Sequence, residues 1–569
     1  MFAVAVLAVG VLVLEPPALA DGPAPEDTIH VRLLGETAVS NSAAVQVDGR
    51  LVTITAPGRY QLSGRLDAGR VVVHTSEPGT VTLVLAGASV YAATGPALVV
   101  EAAEHVRLHL ADGSYNNLFD GLERLDGEAG SALHSEAPLT IDGGGHLLVM
   151  ARLKHGIESE RALLVDGGVL TVIAADDGVR GENLTVTGGD LLVFSTNDAL
   201  KSTGDENDTG VVALNGGVID LVSAGDGVQA ERVLQITGGT IDVLSGGGHT
   251  VVPDDDSTKG LKADVAVVID GGAIRVDSSD DSVHSDGDIL ITGGRLTLAT
   301  GDDAVHADGS LTVTGGWAEV TASHEGLEAP RLTIAGGTVL VTATDDALNA
   351  AGEVPSTEIL LLVSGGHIVA RGGSDAMDSN GSVHITGGTV VLDGPYPYIK
   401  PAIDRHYSHT VLLDGGTIVA GGWLASKPDH AIDPASTQAI VHLDFHWLVQ
   451  AGTVVTLRGA AGDIATFMTA RTLAFMSFTS PAIEAGAEYE VWLGGTPHGH
   501  ELPGSVFEPA GVDGAVLRRV FHATPTTATT STGSMAPAPR RGTSPTRTRT
   551  LTWGAFGAVY GGGMRFAEP

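Results

Sequence analysis

Hydrophobic and polar residues alternate along this chain with a period of two, in short runs that end at glycine or aspartate. LVTIT (51–55), RVVVHT (70–75), TVTLVL (80–85) and HVRLHL (105–110) are typical. Such alternation marks half-buried strands, and no long stretch carries a helical period. From residue 143 onward, Gly-Gly pairs act as a ruler. Their first members are 143, 167, 188, 216, 238, 271, 293, 315, 336, 365, 387 and 415. The base spacing is about 22 residues, the size of one coil in a solenoid built only from strands and turns. The prediction is therefore all-β, a parallel β-helix of ~22-residue coils.

In the unit that starts at Gly293, Leu296 and Leu298 are expected inward from one strand, Val305 from the next, and Leu311 and Val313 from the one after. Thr297, Thr312 and Thr314 are expected outward. At ~4.8 Å per coil the marked bends imply a rod of roughly 55 Å, plus the N-terminal coils. Insertions lengthen the unit near Thr203–Asp208, Gly247–Thr258, Ala351–Thr357 and Gly394–His409, and most are expected on one side of the rod. The organisation read from the pattern is 1–20 signal peptide, 21–45 polar lead-in, 46–417 β-helix, 418–500 small β-rich cap, and 501–569 low-complexity, disordered tail.

Composition narrows the function classes. Glycine is abundant (78 residues), aromatics are 4%, there is no cysteine, and the formal net charge is −37. That charge disfavours nucleic acid and anionic membrane surfaces as partners and favours divalent cations. The lack of cysteine removes disulfides and thiolate metal sites. The run Phe2–Leu14 is too short to span a membrane, and Ala18-Leu19-Ala20 fits a cleavage site, so secretion is expected, as a monomer.

Aligned on the ruler, one column reads DDGVRG (176–181), NDALKS (197–202), GDGVQA (225–230), TKGLKA (258–263), DDSVHS (280–285), DDAVHA (302–307), HEGLEA (324–329), DDALNA (345–350) and SDAMDS (374–379). Stacking in register would line up Asp177, Asp198, Asp226, Asp281, Asp303, Glu325, Asp346 and Asp375, with Asp176, Asp280, Asp302 and Asp345 beside them. Two carboxylates ~5 Å apart repel by roughly 3–4 kcal/mol at an effective dielectric near 20 and by about 1 kcal/mol in bulk water. A cation between coils would relieve this, and calcium, which takes six to eight oxygens in flexible geometry, suits the donors. Hydration would also make the ladder tolerable, with Asp serving as a turn residue.

Three residues after the second acid stand Arg180, Lys201, Gln229, Lys262, His284, His306, Glu328, Asn349 and Asp378, expected outward beside the acids. They form either a solvated face or a line of contacts to a polysaccharide. The loop 394–409 gathers Tyr396, Tyr398, Lys400, Arg405, His406, Tyr407 and His409, which either stack on sugar and pair with carboxylates or pack over the rod.

The runs ITAPGRYQLSG, LVLAGASV, ADGSYNN, ADDGVRGENLTVTGGDL, KGLKA, SSDDSVHS, TGDDAVHADGSLTVTGG, HEGLEA and DDALNAAG carry a resemblance. Over about Val45–Gly495 the chain resembles the secreted bacterial carbohydrate-binding family that forms a calcium-binding right-handed parallel β-helix. The resemblance implies binding of cellulose or polygalacturonate without established catalysis, and places calcium at the acid-corner positions. Two other readings stay open. A polysaccharide lyase would use calcium with Arg180, Lys201 or Lys262 as base. A structural surface adhesin would bind protein instead.

Overall fold

The paired glycines are bends that no other residue would fit. From Gly168 onward the second member of each pair has a positive φ, for example +80° at Gly294 and +78° at Gly316, while in the first pair it is Gly143, at +103°. The first member lies against the coil before it: a Cβ on Gly293 would sit 2.2 Å from the Asp270 carbonyl oxygen. The ruler is thus the trace of a backbone bend stacked on itself.

The computed structural model describes residues 28–523 except 126–128, 205–208, 253–256, 395–400, 407 and 426–431. The expected signal peptide and most of the expected tail lie outside the described residues, as do Tyr396, Tyr398, Lys400 and Tyr407. Among the described residues every regular element is a strand. They form a parallel β-solenoid of about 14 turns, a rod of about 65 Å at ~4.8 Å per turn. No helix is long and apolar enough to cross a membrane.

Each coil has three strands. In the coil after Asp308 they are Ser310–Val313, Trp317–Ala322 and Leu327–Glu328. The Gly-Gly bend joins the first to the second, and the acid corner joins the second to the third. First and second strands merge into one 28-stranded sheet, because strands such as Leu163–Ala174 run straight through the bend. The short third strands form a 15-stranded sheet of their own. Leu296, Leu298, Val305, Leu311 and Val313 are buried as expected, in one continuous core of stacked Leu, Val and Ile. Burial by stacking is what makes so small a repeat stable.

Three features differ from the sequence reading. The lead-in contains strands: Ile29–Gly35 joins the rod in parallel with Gly58–Asp67, and Ala38–Ser40 folds back on it. Its alternation (Val31 and Leu33 inward) is short but real. The insertions do not share one corner. Gly247–Thr258 follows a second strand at the acid corner, whereas Thr203–Asp208 and Ala351–Thr357 follow third strands, so the insertions flank the 15-stranded sheet on both sides. Finally, antiparallel pairing of Val411–Gly421 with Leu473–Thr479 ends the parallel ladder. A six-stranded antiparallel sheet with its own core follows and runs on to Val516–His522, past residue 500.

Candidate functional site

At the acid corner the backbone itself proves the register. Gly178 N donates to Asp198 O, Ala199 N to Asp226 O, Ser282 N to Asp303 O, Ala304 N to Glu325 O, Gly326 N to Asp346 O and Ala347 N to Asp375 O. The second acids therefore stand in one line. Two bases share that line: His155 below Asp177, and Lys259 between Asp226 and Asp281. Both occupy the second-acid position, His155 in KHGIES (154–159) and Lys259 in TKGLKA (258–263).

The carboxylates are buried, with Asp177, Asp198, Asp226 and Asp281 at 1–4% exposure. They can be buried because one oxygen binds the next coil, through the Asn197 side chain for Asp177 and through a backbone amide for the others. Asp198 Oδ1 accepts Asp226 N at 2.9 Å, Asp226 Oδ1 accepts Lys259 N at 2.8 Å, Asp281 Oδ1 accepts Asp303 N at 3.1 Å, and Asp346 Oδ1 accepts Asp375 N at 2.8 Å. A buried carboxylate is tolerable when hydrogen bonds and a counter-charge replace water.

The counter-charge comes from the column expected to face outward and from the two bases within the line, Lys259 and His155. Arg180 reaches back to Asp177 at 3.1 Å and Glu158 at 3.4 Å. Lys201 meets Asp198 at 2.8 Å, and Lys259 meets Asp280 at 2.5 Å and Asp281 at 3.2 Å. His284 is itself buried, held between Asp281 at 2.8 Å and Asp286 at 2.9 Å. His306 lies 3.4 Å from Asp303. Asp176 sits 3.7 Å from His155. These side chains are neutralising partners rather than a free outward row, because leaving the buried acids unpaired would cost far more than solvating a base. The electrostatics agree. Burial works against the Lys201 ammonium, but Asp198 outweighs it and raises its pKa. The Asp303 hydrogen bond lifts His306 well above the usual histidine value. Burial alone would raise Asp281, yet His284 and Lys259 hold it below the carboxylate range.

The balance fails toward the C-terminal coils. There the residue three places on is Glu328, Asn349 or Asp378 instead of a base. Burial, then neighbouring Asp303, Asp281 and Asp280, pushes Asp302 up to about 6. Burial pushes Asp346 up to about 7 despite the amide it accepts, with Asp378, Asp375 and Asp345 adding to the rise. Burial and the Glu325 carboxyl lift Glu328 far above the carboxylate range. Asn349 turns its amide NH2 to Glu325 at 2.6 Å and Glu328 at 3.1 Å. Its Oδ1 is left on the opposite edge of the amide, buried and without a partner. His324, Glu325 and Asp345 can bring one ligand atom each within 4.8 Å of one another, as can Asp302, Asp303 and His324.

Lys262 takes another position. It makes no ion pair within 4 Å among the described residues and lines a cavity of about 870 Å3 with Asp198, Lys201, Asp226, Gln229, Val222, Leu244, Val251 and Val252. Arg405 is half-buried just after the strand Pro401–Ile403.

Comparison with known proteins adds a family. The model of the carbohydrate-binding domain-containing protein family matches residues 48–304 and 302–396, which include every acid corner from Asp176 to Asp375. A carbohydrate-binding domain-containing protein of Acetivibrio thermocellus is 32% identical over 139 residues, 24% of this chain and 49% of that protein. The chain thus spans about half the length of the relative it matches. A solved structure, described as the polysaccharide lyase-like protein from C. thermocellum in a gadolinium derivative, is 24% identical with a TM-score of 0.37, covering 44% of this chain and 94% of that one.

Proposed function

Because the chain belongs to the carbohydrate-binding domain-containing family, we propose that it is a secreted, calcium-dependent polysaccharide-binding protein that acts without catalysis on pectic (polygalacturonate) or cellulosic glycans. One observation carries the calcium: the buried, unpartnered Asn349 Oδ1 in a corner of carboxylates that lacks a base. Asn349 Oδ1 with Asp345 and Asp346 would hold the ion, a hard oxygen set of the kind calcium prefers, while Glu325 and Glu328 hold the amide from its other edge. When bound it would supply the positive charge through which a carboxylate-bearing glycan meets this acidic surface. The upstream corners suit a cation less well, since Arg180, Lys201, Lys259, His284 and His306 already provide the charge.

The same contacts argue against Arg180 and Lys201 as the base of a lyase, which leaves Lys262, without an ion pair among the described residues, as the one candidate for that second reading. A Brønsted base works best with its pKa near the operating pH. That of Lys201 moves upward, and Arg180 is engaged by two carboxylates. In affinity electrophoresis the calcium-loaded protein is expected to be retarded by polygalacturonate. Chelation should remove the retardation and lower the melting temperature, and Asp346→Asn with Asn349→Ala should erase the calcium-dependent part of both. Binding and melting that ignore chelation would overturn the reading.

A further inference from the structure

The outward face of the second strands carries a pattern that the acid corner does not explain. Register pairing links Phe119 to Met150, Met150 to Ile173, Ile173 to Phe194, Phe194 to Val222 and Val222 to Leu244. Tyr91 precedes Phe119 in the same column and meets it edge-on at 5.0 Å. These side chains point away from the core, since the alternate residues Val149, Val172, Val193 and Leu221 fill it. Ile173 and Phe194 are 38% and 41% exposed. The column is bounded by charge at both ends: Asp67 pairs with Tyr91, and Asp277 with Leu244. Between those ends it holds no charged residue, on a molecule of net charge −37.

The stripe is about 29 Å long at ~4.8 Å per coil and one side chain wide. It does not stop in open solvent. Val222 and Leu244 are also walls of the cavity that holds Lys201, Gln229 and Lys262. At that end His249 is bound to Asp277. Beside the stripe run Asn117, Leu148, Thr171 and Leu192, which are neutral, and then Asp220 and Asp242 next to Val222 and Leu244.

We propose that this stripe and cavity form a second glycan-binding track, on which an uncharged linear polysaccharide lays the apolar C–H faces of its rings over Phe119, Met150, Ile173 and Phe194 and ends among the polar groups of the cavity. Charge and shape select that occupant. A second copy of the chain would bring another −37 charges against a contact one residue wide. A polyanionic glycan would meet the same field without a bridging ion. A neutral chain of sugars meets no repulsion, matches the length, and offers apolar faces to the stripe and hydroxyls to the flanking amide, threonine and cavity groups. The track rests on the carbohydrate-binding reading but separates its two glycans: calcium serves the carboxylate-bearing one, and the cellulosic one binds here without it.

The test uses the full chain with an insoluble β-glucan, amorphous cellulose, in chelator. Wild-type protein is expected to bind, and Ile173→Ser with Phe194→Ser to bind roughly tenfold more weakly. The melting temperature and calcium-dependent polygalacturonate retardation should stay as in wild type. The inference is overturned if wild type does not bind in chelator, if binding requires calcium, or if the double variant binds equally well. It is overturned too if that variant converts a dimer to a monomer, because a second copy would then be the occupant. Loss of polygalacturonate binding with intact β-glucan binding would sink only the calcium proposal.

Discussion

Asp198 uses its two oxygens for two tasks. Oδ1 accepts the Asp226 amide of the next coil, and Oδ2 receives the Lys201 ammonium. The pair is mostly buried, with side-chain exposures of 20% for Lys201 and 6% for Asp198. Removing the base alone leaves a carboxylate in a poor solvent. Lys201→Met is therefore expected to cost about 3 kcal/mol in urea unfolding, in the range for breaking a buried pair. Lys201→Met with Asp198→Asn should recover most of that loss, because the amide oxygen still caps Asp226. A double variant as unstable as the single one would mean that packing, not charge, holds the corner. The acid column was legible in the sequence because it repeats on the glycine ruler. The direction of Lys201 was not. A base three residues after an acid reads equally as an outward ligand contact or as an inward partner, and only burial of the acid decides between them.

At the level of the coil, two local rules fix the bend and one global pattern hides a surface. Gly294 has φ +80°, and a Cβ there would lie 2.7 Å from the Gly271 carbonyl oxygen. Gly294→Ala should thus lose about 1–3 kcal/mol through strain, whereas Thr297→Ala on the outward face of the same strand should stay within about 0.5 kcal/mol. Equal effects on the melting temperature would show that the bend tolerates side chains. The bend was readable because only glycine satisfies it. The apolar stripe was not, since LLVFS (191–195) reads as one hydrophobic run and gives no sign that Phe194 points outward while Val193 points in. The insertions were placed on one corner because the ruler measures coil length and not where in the coil the extra residues fall.

Over the whole molecule, a solenoid has to end. Along the rod each coil is covered by the next, so an uncovered coil presents both its apolar interior and a row of unpaired strand groups. At the C-terminal end Ile418, Val419 and Ala420 pair with Thr479, Phe478 and Ser477, and Gln438 donates to the Gly416 carbonyl. Behind this pairing the antiparallel sheet keeps a separate core of Val455, Leu457, Phe467, Tyr489 and Val491. Two cores joined through one antiparallel seam suggest two cooperative units rather than one. A chain ending after Gly421 should keep the parallel coils but associate through its open end, even though its acidity keeps the rods' sides apart. Light scattering of that truncated chain is expected to show dimers or larger species at about 0.15 M salt. The full chain should be monomeric under the same conditions. A truncated chain that stays monomeric with an unchanged melting temperature would show that the last coil covers itself, and the antiparallel sheet would then need a different role.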